Sequence, residues 1–131
     1  MLIKKVKLHD FKHMNIPTLC LEKKYSCLIN CPIWTDIFYL SQDLCLLNSS
    51  FFERRTLRSE RITRALCLFF MNMGEIISSE QILSHVWPNY SASLGNVSVL
   101  INTLRGELNN QNVEIVTIRK KGYMLRPKVR L

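Results

Sequence analysis

MGEIISSEQIL, residues 73–83, carries the end of one helix and the start of the next. Gly74 closes an apolar periodic run and supplies the residue on which helices commonly stop. Ser78 then precedes Gln81 by three positions. At that spacing the hydroxyl caps the N3 amide while the Gln side chain returns to the Ser amide. Upstream, Ile62, Ala65, Leu66, Phe69 and Met73 recur at helical spacing, which predicts a first helix over about residues 59–73 with Arg61 and Arg64 on other faces. Downstream, a second helix turns Ile82, Leu83, Val86 and Trp87 inward, and Pro88 ends it.

The pattern continues on both sides. Residues 89–95 read as a polar loop, and Asn96 as the N-cap of a third helix over about residues 96–108. Val97, Leu100, Ile101, Leu104 and Leu108 form its apolar stripe; Ser98, Asn102, Thr103, Arg105 and Gly106 lie on the other face. Asn109, Asn110, Gln111 and Asn112 break the helix, and VTIRKKGYML, residues 116–125, then makes a hairpin with its cations at the turn. Before residue 50 the chain reads as short strands. Leu19, Leu21, Tyr25, Cys27 and Ile29 alternate around Glu22, Lys23 and Lys24, and residues 33–47 suit one or two further strands with a turn at Ser41, Gln42 and Asp43. Ile3, Val6 and Leu8 suit a sheet edge. The fold class is therefore α+β, with an N-terminal antiparallel sheet in residues 1–50 packed on three helices and a hairpin in residues 51–131, together one compact domain.

Composition narrows the function. The chain has 131 residues, 47% of them hydrophobic, and a formal charge of +8 with a pI near 9.5. Residues 51–131 hold 12 Lys and Arg against 6 Asp and Glu, while residues 1–50 hold 6 against 4. A basic C-terminal portion suits an acidic partner, nucleic acid ahead of a membrane surface. Five cysteines (Cys20, Cys27, Cys31, Cys45 and Cys67), with no apolar leader after Met1, point to a reducing cytoplasm and thiols acting as small buried groups. Cys27 and Cys31 have no second ligand pair at finger spacing, and His9 and His13 lack a completing ligand, so no metal or other cofactor is expected. Residues 81–104 contain no Asp, Glu, Lys or Arg, yet Pro88, Asn89 and Gly95 interrupt them, so no membrane span is read there. No phosphate loop, nucleophile elbow or paired metal-binding histidine motif occurs, and an enzyme is not expected.

Two helices, a loop, a third helix and a basic hairpin are the plan of a winged helix-turn-helix. Residues 73–83 with Val86 and Trp87 resemble the central segment of OmpR/PhoB-type DNA-binding domains. Val97, Ile101, Leu104, Arg105 and Leu108 resemble that family's third helix, and Thr117, Ile118, Arg119, Gly122 and Tyr123 its wing. The resemblance covers about residues 59–125. It implies a bacterial transcription regulator that binds double-stranded DNA, third helix in the major groove and wing on the minor groove. With only residues 126–131 after the wing, the style is that of a stand-alone ToxR/CadC-like member.

Specific contacts follow from side-chain chemistry. Asn pairs bidentately with adenine, Arg with guanine, and Ser or Thr with several base edges, so Ser98, Asn102, Thr103 and Arg105 are candidates, with Asn96 at the helix start. A charge run such as Arg119, Lys120 and Lys121 is usually a solvated tip. Here the cations stand at a hairpin turn, Gly122 permits a tight backbone, and Tyr123 can anchor the hairpin, so a groove contact is expected, with Thr117 beside it. Trp87 reads as core that also approaches a phosphate, by resemblance. The resemblance further implies RNA polymerase as a partner of the 89–95 loop and is compatible with a homodimer on DNA. The competing reading is a protein-interaction module on the same fold, because the third helix carries no charge before Arg105. Asn102 and Gly106 stand where the family often has cations, which shifts the expected grip toward Arg119, Lys120 and Lys121.

Overall fold

The computed structural model describes residues 43–53, 59–88 and 92–128. They form α1 (Ser49–Glu53), α2 (Glu60–Met71), α3 (Ser79–Val86), α4 (Leu94–Glu107), β1 (Val113–Ile118) and β2 (Gly122–Pro127). The three expected helices and the hairpin occur in the expected order, with α1 added in front. The hairpin and strands expected before Asp43 lie outside the described residues, as do Cys20, Cys27, Cys31, His9 and His13. The strand expected to reach Leu47 does not form. Leu46 and Leu47 are irregular and both buried, whereas neighbours in a half-buried strand must face opposite sides.

Helix α2 is the centre of the body. Ser59 caps it, accepting from the Ile62 amide at 3.2 Å. Its buried residues, Thr63, Ala65, Leu66, Cys67, Phe69, Phe70 and Met71, spread round most of its circumference because α3, α4 and β2 all pack on it. That is a wider face than the expected stripe. The helix ends at Met71, where Asn72 returns its backbone and side-chain N–H groups to Leu68. Gly74, with φ of 82°, comes later than a helix stop and instead turns the chain toward the hairpin.

The segment between α2 and α3 runs beside β2. Gly74 N–H donates to the Leu125 carbonyl at 2.8 Å, and Ile77 and Tyr123 exchange amide-to-carbonyl bonds of 2.8 and 2.9 Å. Three such bonds contribute about 0.5–1.5 kcal/mol each, and they fix the hairpin to the helical body. Ser78 and Gln81 then form the expected capping box: the Gln81 amide donates to Ser78 Oγ at 3.1 Å, and the Ser78 amide to Gln81 Oε1 at 2.8 Å. Helix α4 begins three residues earlier than its apolar stripe suggests. Ser93 is the N-cap and Asn96 sits at N3, its Oδ1 accepting from the Ser93 amide at 2.9 Å. Leu94 and Gly95 belong to the helix and not to the loop. Leu108, expected within the helix, is its buried C-cap.

Two further contacts set the frame. The turn after α4 is latched to the segment before α1. Asn112 donates its amide to the Leu46 carbonyl at 2.9 Å and Nδ2 to that of Cys45 at 2.7 Å, while the Asn48 amide donates to Oε1 of buried Gln111 at 2.8 Å. Between α2 and α3, Arg64 Nη1 donates to the His85 carbonyl at 3.4 Å. Cys67 is buried as expected; Cys45 is exposed. No helix among the described residues is long and apolar enough to cross a membrane.

Burial, and then the nearby Arg64 charge, lower the His85 pKa below its ordinary value of 6.5. The folded chain therefore holds His85 neutral where the unfolded chain would protonate it. This stability is present above about pH 7 and is lost as pH falls through 6.5 toward the lowered folded value. The melting temperature should drop from pH 7.5 to 5.5, and His85→Gln should flatten that drop. Gly122 and Gly106 should respond oppositely to alanine. At Gly122, with φ of 147°, a Cβ would overlap the Ile77 carbonyl, whereas at Gly106 a Cβ meets nothing within 4 Å. In urea denaturation Gly122→Ala should lose about 2 kcal/mol or more, and Gly106→Ala should gain about 0.5–1 kcal/mol.

Candidate nucleic-acid interface

Helix α4 has an inner and an outer face because its apolar residues recur every three or four positions. Val97, Leu100, Ile101 and Leu104 are buried. Gly95, Ser98, Val99, Asn102, Thr103 and Gly106 are exposed, Val99 to 67%. At 3.6 residues per turn, Asn102 lies near the middle of that outer arc. Its side chain makes no hydrogen bond among the described residues, so both its donor and its acceptor are free. Ser98 is also exposed, while Thr103 Oγ1 donates back to the Val99 carbonyl at 3.2 Å. Asn96 is a different case: its oxygen is committed to the Ser93 amide and shapes the start of the helix.

Arg105 is the sole cation of α4, and its side chain turns toward the hairpin. Nε donates to the Ile115 carbonyl at 3.0 Å and Nη2 to Thr117 Oγ1 at 2.9 Å. Two residues read separately from the sequence as DNA contacts are thus bonded to each other. The link holds β1 against the C-terminal half of α4. It was not legible beforehand, because nothing local in either segment encodes a bond between positions 105 and 117.

The hairpin pairs Val113 with Pro127 at its base and Ile118 with Gly122 at its tip. Lys121 N–H closes the turn on the Ile118 carbonyl at 3.0 Å. Between them Lys120 takes φ of 64°, a conformation that costs an L residue about 1–2 kcal/mol. Arg119, Lys120 and Lys121 are all exposed and have no carboxylate partner among the described residues. An ion pair of the hairpin, Arg126 with Glu114 at 3.7 Å, lies toward its base, and its half-exposed groups make it worth about 0–1 kcal/mol. Positive charge is therefore concentrated at the tip.

Trp87, at the end of α3, is half-buried against the core, with the Arg61 guanidinium 5.6 Å from its ring centroid. Arg61 thus brings α2 against the C-terminal end of α3. No group of three or more His, Cys, Asp or Glu residues among the described residues is placed to hold a metal ion.

Comparison with known proteins identifies a family. The family described as "Transcriptional regulatory protein, C terminal" matches residues 54–125. The crystal structure of the DNA-binding domain of CssR from Bacillus subtilis is 28% identical, with a TM-score of 0.47, over 52% of this chain and 76% of that one. A mutant of RitR is also 28% identical, with a TM-score of 0.44, over 52% of this chain and 32% of that one. No curated protein sequence matches the chain. The family match spans more than half of the residues, and the chain belongs to the C-terminal domain family of transcriptional regulatory proteins, the OmpR/PhoB-type DNA-binding domains.

Proposed function

We propose that this chain regulates transcription by binding duplex DNA sequence-specifically, with the outer face of α4 in the major groove and the hairpin as a wing on the minor groove. The observation that carries this reading is the Arg105 link to Ile115 and Thr117, which sets a polar helix face and a cationic tip in fixed relation. A major groove admits an α-helix, and exposed Ser98, Asn102 and Thr103 supply hydrogen-bonding groups for base edges or nearby phosphates. A narrow minor groove concentrates negative potential, which attracts a cation on a stiff support. Lys120 supports the same division. Glycine would relieve its backbone, yet a lysine stands there, which favours a role for the charge.

In this reading Arg105 and Thr117 chiefly position the wing, and Arg119, Lys120 and Lys121 supply its grip. Trp87 and Arg61 lie where a phosphate could be met at the end of α3. One observation favours an added protein contact. Leu94 is 52% exposed at the start of α4, next to the loop that the family resemblance assigns to RNA polymerase. Polymerase docking there, and a homodimer on adjacent half-sites, are compatible with DNA binding and need it first.

The electrostatic share can be measured. Log affinity for duplex DNA should fall linearly with log salt, by about 0.9 per phosphate neutralised. The double change Arg119→Ala with Lys121→Ala should reduce that slope by about 1.8, if each cation neutralises one phosphate. An unchanged slope would remove the wing from the interface. Absence of any shift of random duplex at low salt and micromolar protein would favour the protein-interaction reading.

A further inference from the structure

The geometry points to a specific class of duplex: one that presents A·T pairs to both α4 and the wing. This rests on the DNA-binding reading above and goes further by naming the bases. Before Arg105, helix α4 lacks the side chains that read guanine. From Leu94 to Leu104 it carries no charged residue, and its sole cation, Arg105, is drawn to the Ile115 carbonyl and the Thr117 hydroxyl. Guanine is read in the major groove chiefly by Arg or Lys reaching O6 and N7. No such side chain stands on the middle of the outer face.

What that face does present is complementary to adenine and thymine. Asn102 is exposed with its amide unengaged, and an Asn amide donates to adenine N7 while accepting from N6. Val99, 67% exposed and one turn away, offers an apolar surface to a thymine methyl group, which only A·T pairs carry. Gly95 and Gly106 leave the two ends of the face low along the helix axis, so the backbone of α4 can approach the base edges closely. The wing selects in the same direction by another route. Arg119, Lys120 and Lys121 favour the narrow minor groove of A-tracts, where the guanine N2 amino group is absent. Thus α4 reads A·T by donor pattern and methyl group, and the wing reads it by groove width.

The two routes can be separated chemically. An inosine·cytosine pair looks like G·C in the major groove but like A·T in the minor groove. Bound sequences would first be selected from a random duplex pool, and affinities then measured by fluorescence anisotropy on substituted duplexes. Selection should enrich A·T pairs in both contact zones. Inosine·cytosine in the helix zone should weaken binding by about 5- to 150-fold, and Asn102→Ala should reduce that difference to no more than the roughly fourfold cost of the lost thymine methyl group. The same replacement in the wing zone should leave affinity unchanged. Uracil for thymine in the helix zone should cost about fourfold, and Val99→Ala should remove that cost. Both substituted residues are exposed, and circular dichroism checks that the variants fold. Enrichment of G·C pairs in the helix zone, or a guanine preference abolished by Arg105→Ala, would overturn the inference while leaving DNA binding intact. Failure to bind any duplex at low salt would remove the DNA-binding reading and this inference with it.

Discussion

The close approach of Gly122 to the Ile77 carbonyl is the constraint on which the arrangement of this molecule depends. No side chain fits between these backbones, and with none present Ile77 and Tyr123 exchange two hydrogen bonds. The hairpin is thereby seated on the connection between α2 and α3, and Gly74 adds a third bond to Leu125. Without that seat, the backbone of each strand would pair only with the other strand, and an isolated two-stranded pairing is marginal in water. With it, the segment from Gly74 to Ile77 serves as a partial third strand, and the wing inherits the rigidity of the helical body.

A second tie acts from the opposite direction. Arg105 reaches from α4 to Ile115 and Thr117, so the hairpin is held by the α2–α3 connection through β2 and by α4 through β1. This has a functional consequence. The one cation of α4 is engaged in holding the wing, and among the described residues of α4 and the hairpin tip the cations without such a bond are Arg119, Lys120 and Lys121. In the proposed function the chain would separate two tasks that a cation-rich helix combines: α4 would discriminate with neutral groups, and the wing would supply attraction. Family membership gives the DNA-binding role its setting, and this division is how the particular residues of the chain would carry it out.

Legibility in the sequence followed the range of the interactions. The Ser78–Gln81 capping box, the apolar stripe of α4 and the β-turn–β run of the wing are written within a few residues, and the structure bears each out. The start of α4 was displaced because exposed Leu94 and Gly95 look like loop, and Asn96 acts from N3 instead of from the cap. Leu46 and Leu47 look like strand residues, yet both bury against the core while Leu46 accepts a bond from Asn112, far along the chain. The Arg105–Thr117 bond and the Gly122–Ile77 approach likewise join distant positions, and only the assembled fold displays them. The candidate DNA contacts could be named from residue chemistry; that Arg105 and Thr117 among them bond to each other could not.

In the proposed complex the outer face of α4 and the tip of the wing act together on one duplex. A titration of isotopically labelled protein with a short duplex, followed by backbone amide shifts, tests it most directly. The shifts should concentrate at residues 98–103 and 118–122, while Asn48, Gln111 and Asn112 at the latch near the hairpin base stay unmoved. Shifts confined to residues 43–53 and α2, with α4 and the wing unaffected, would contradict it.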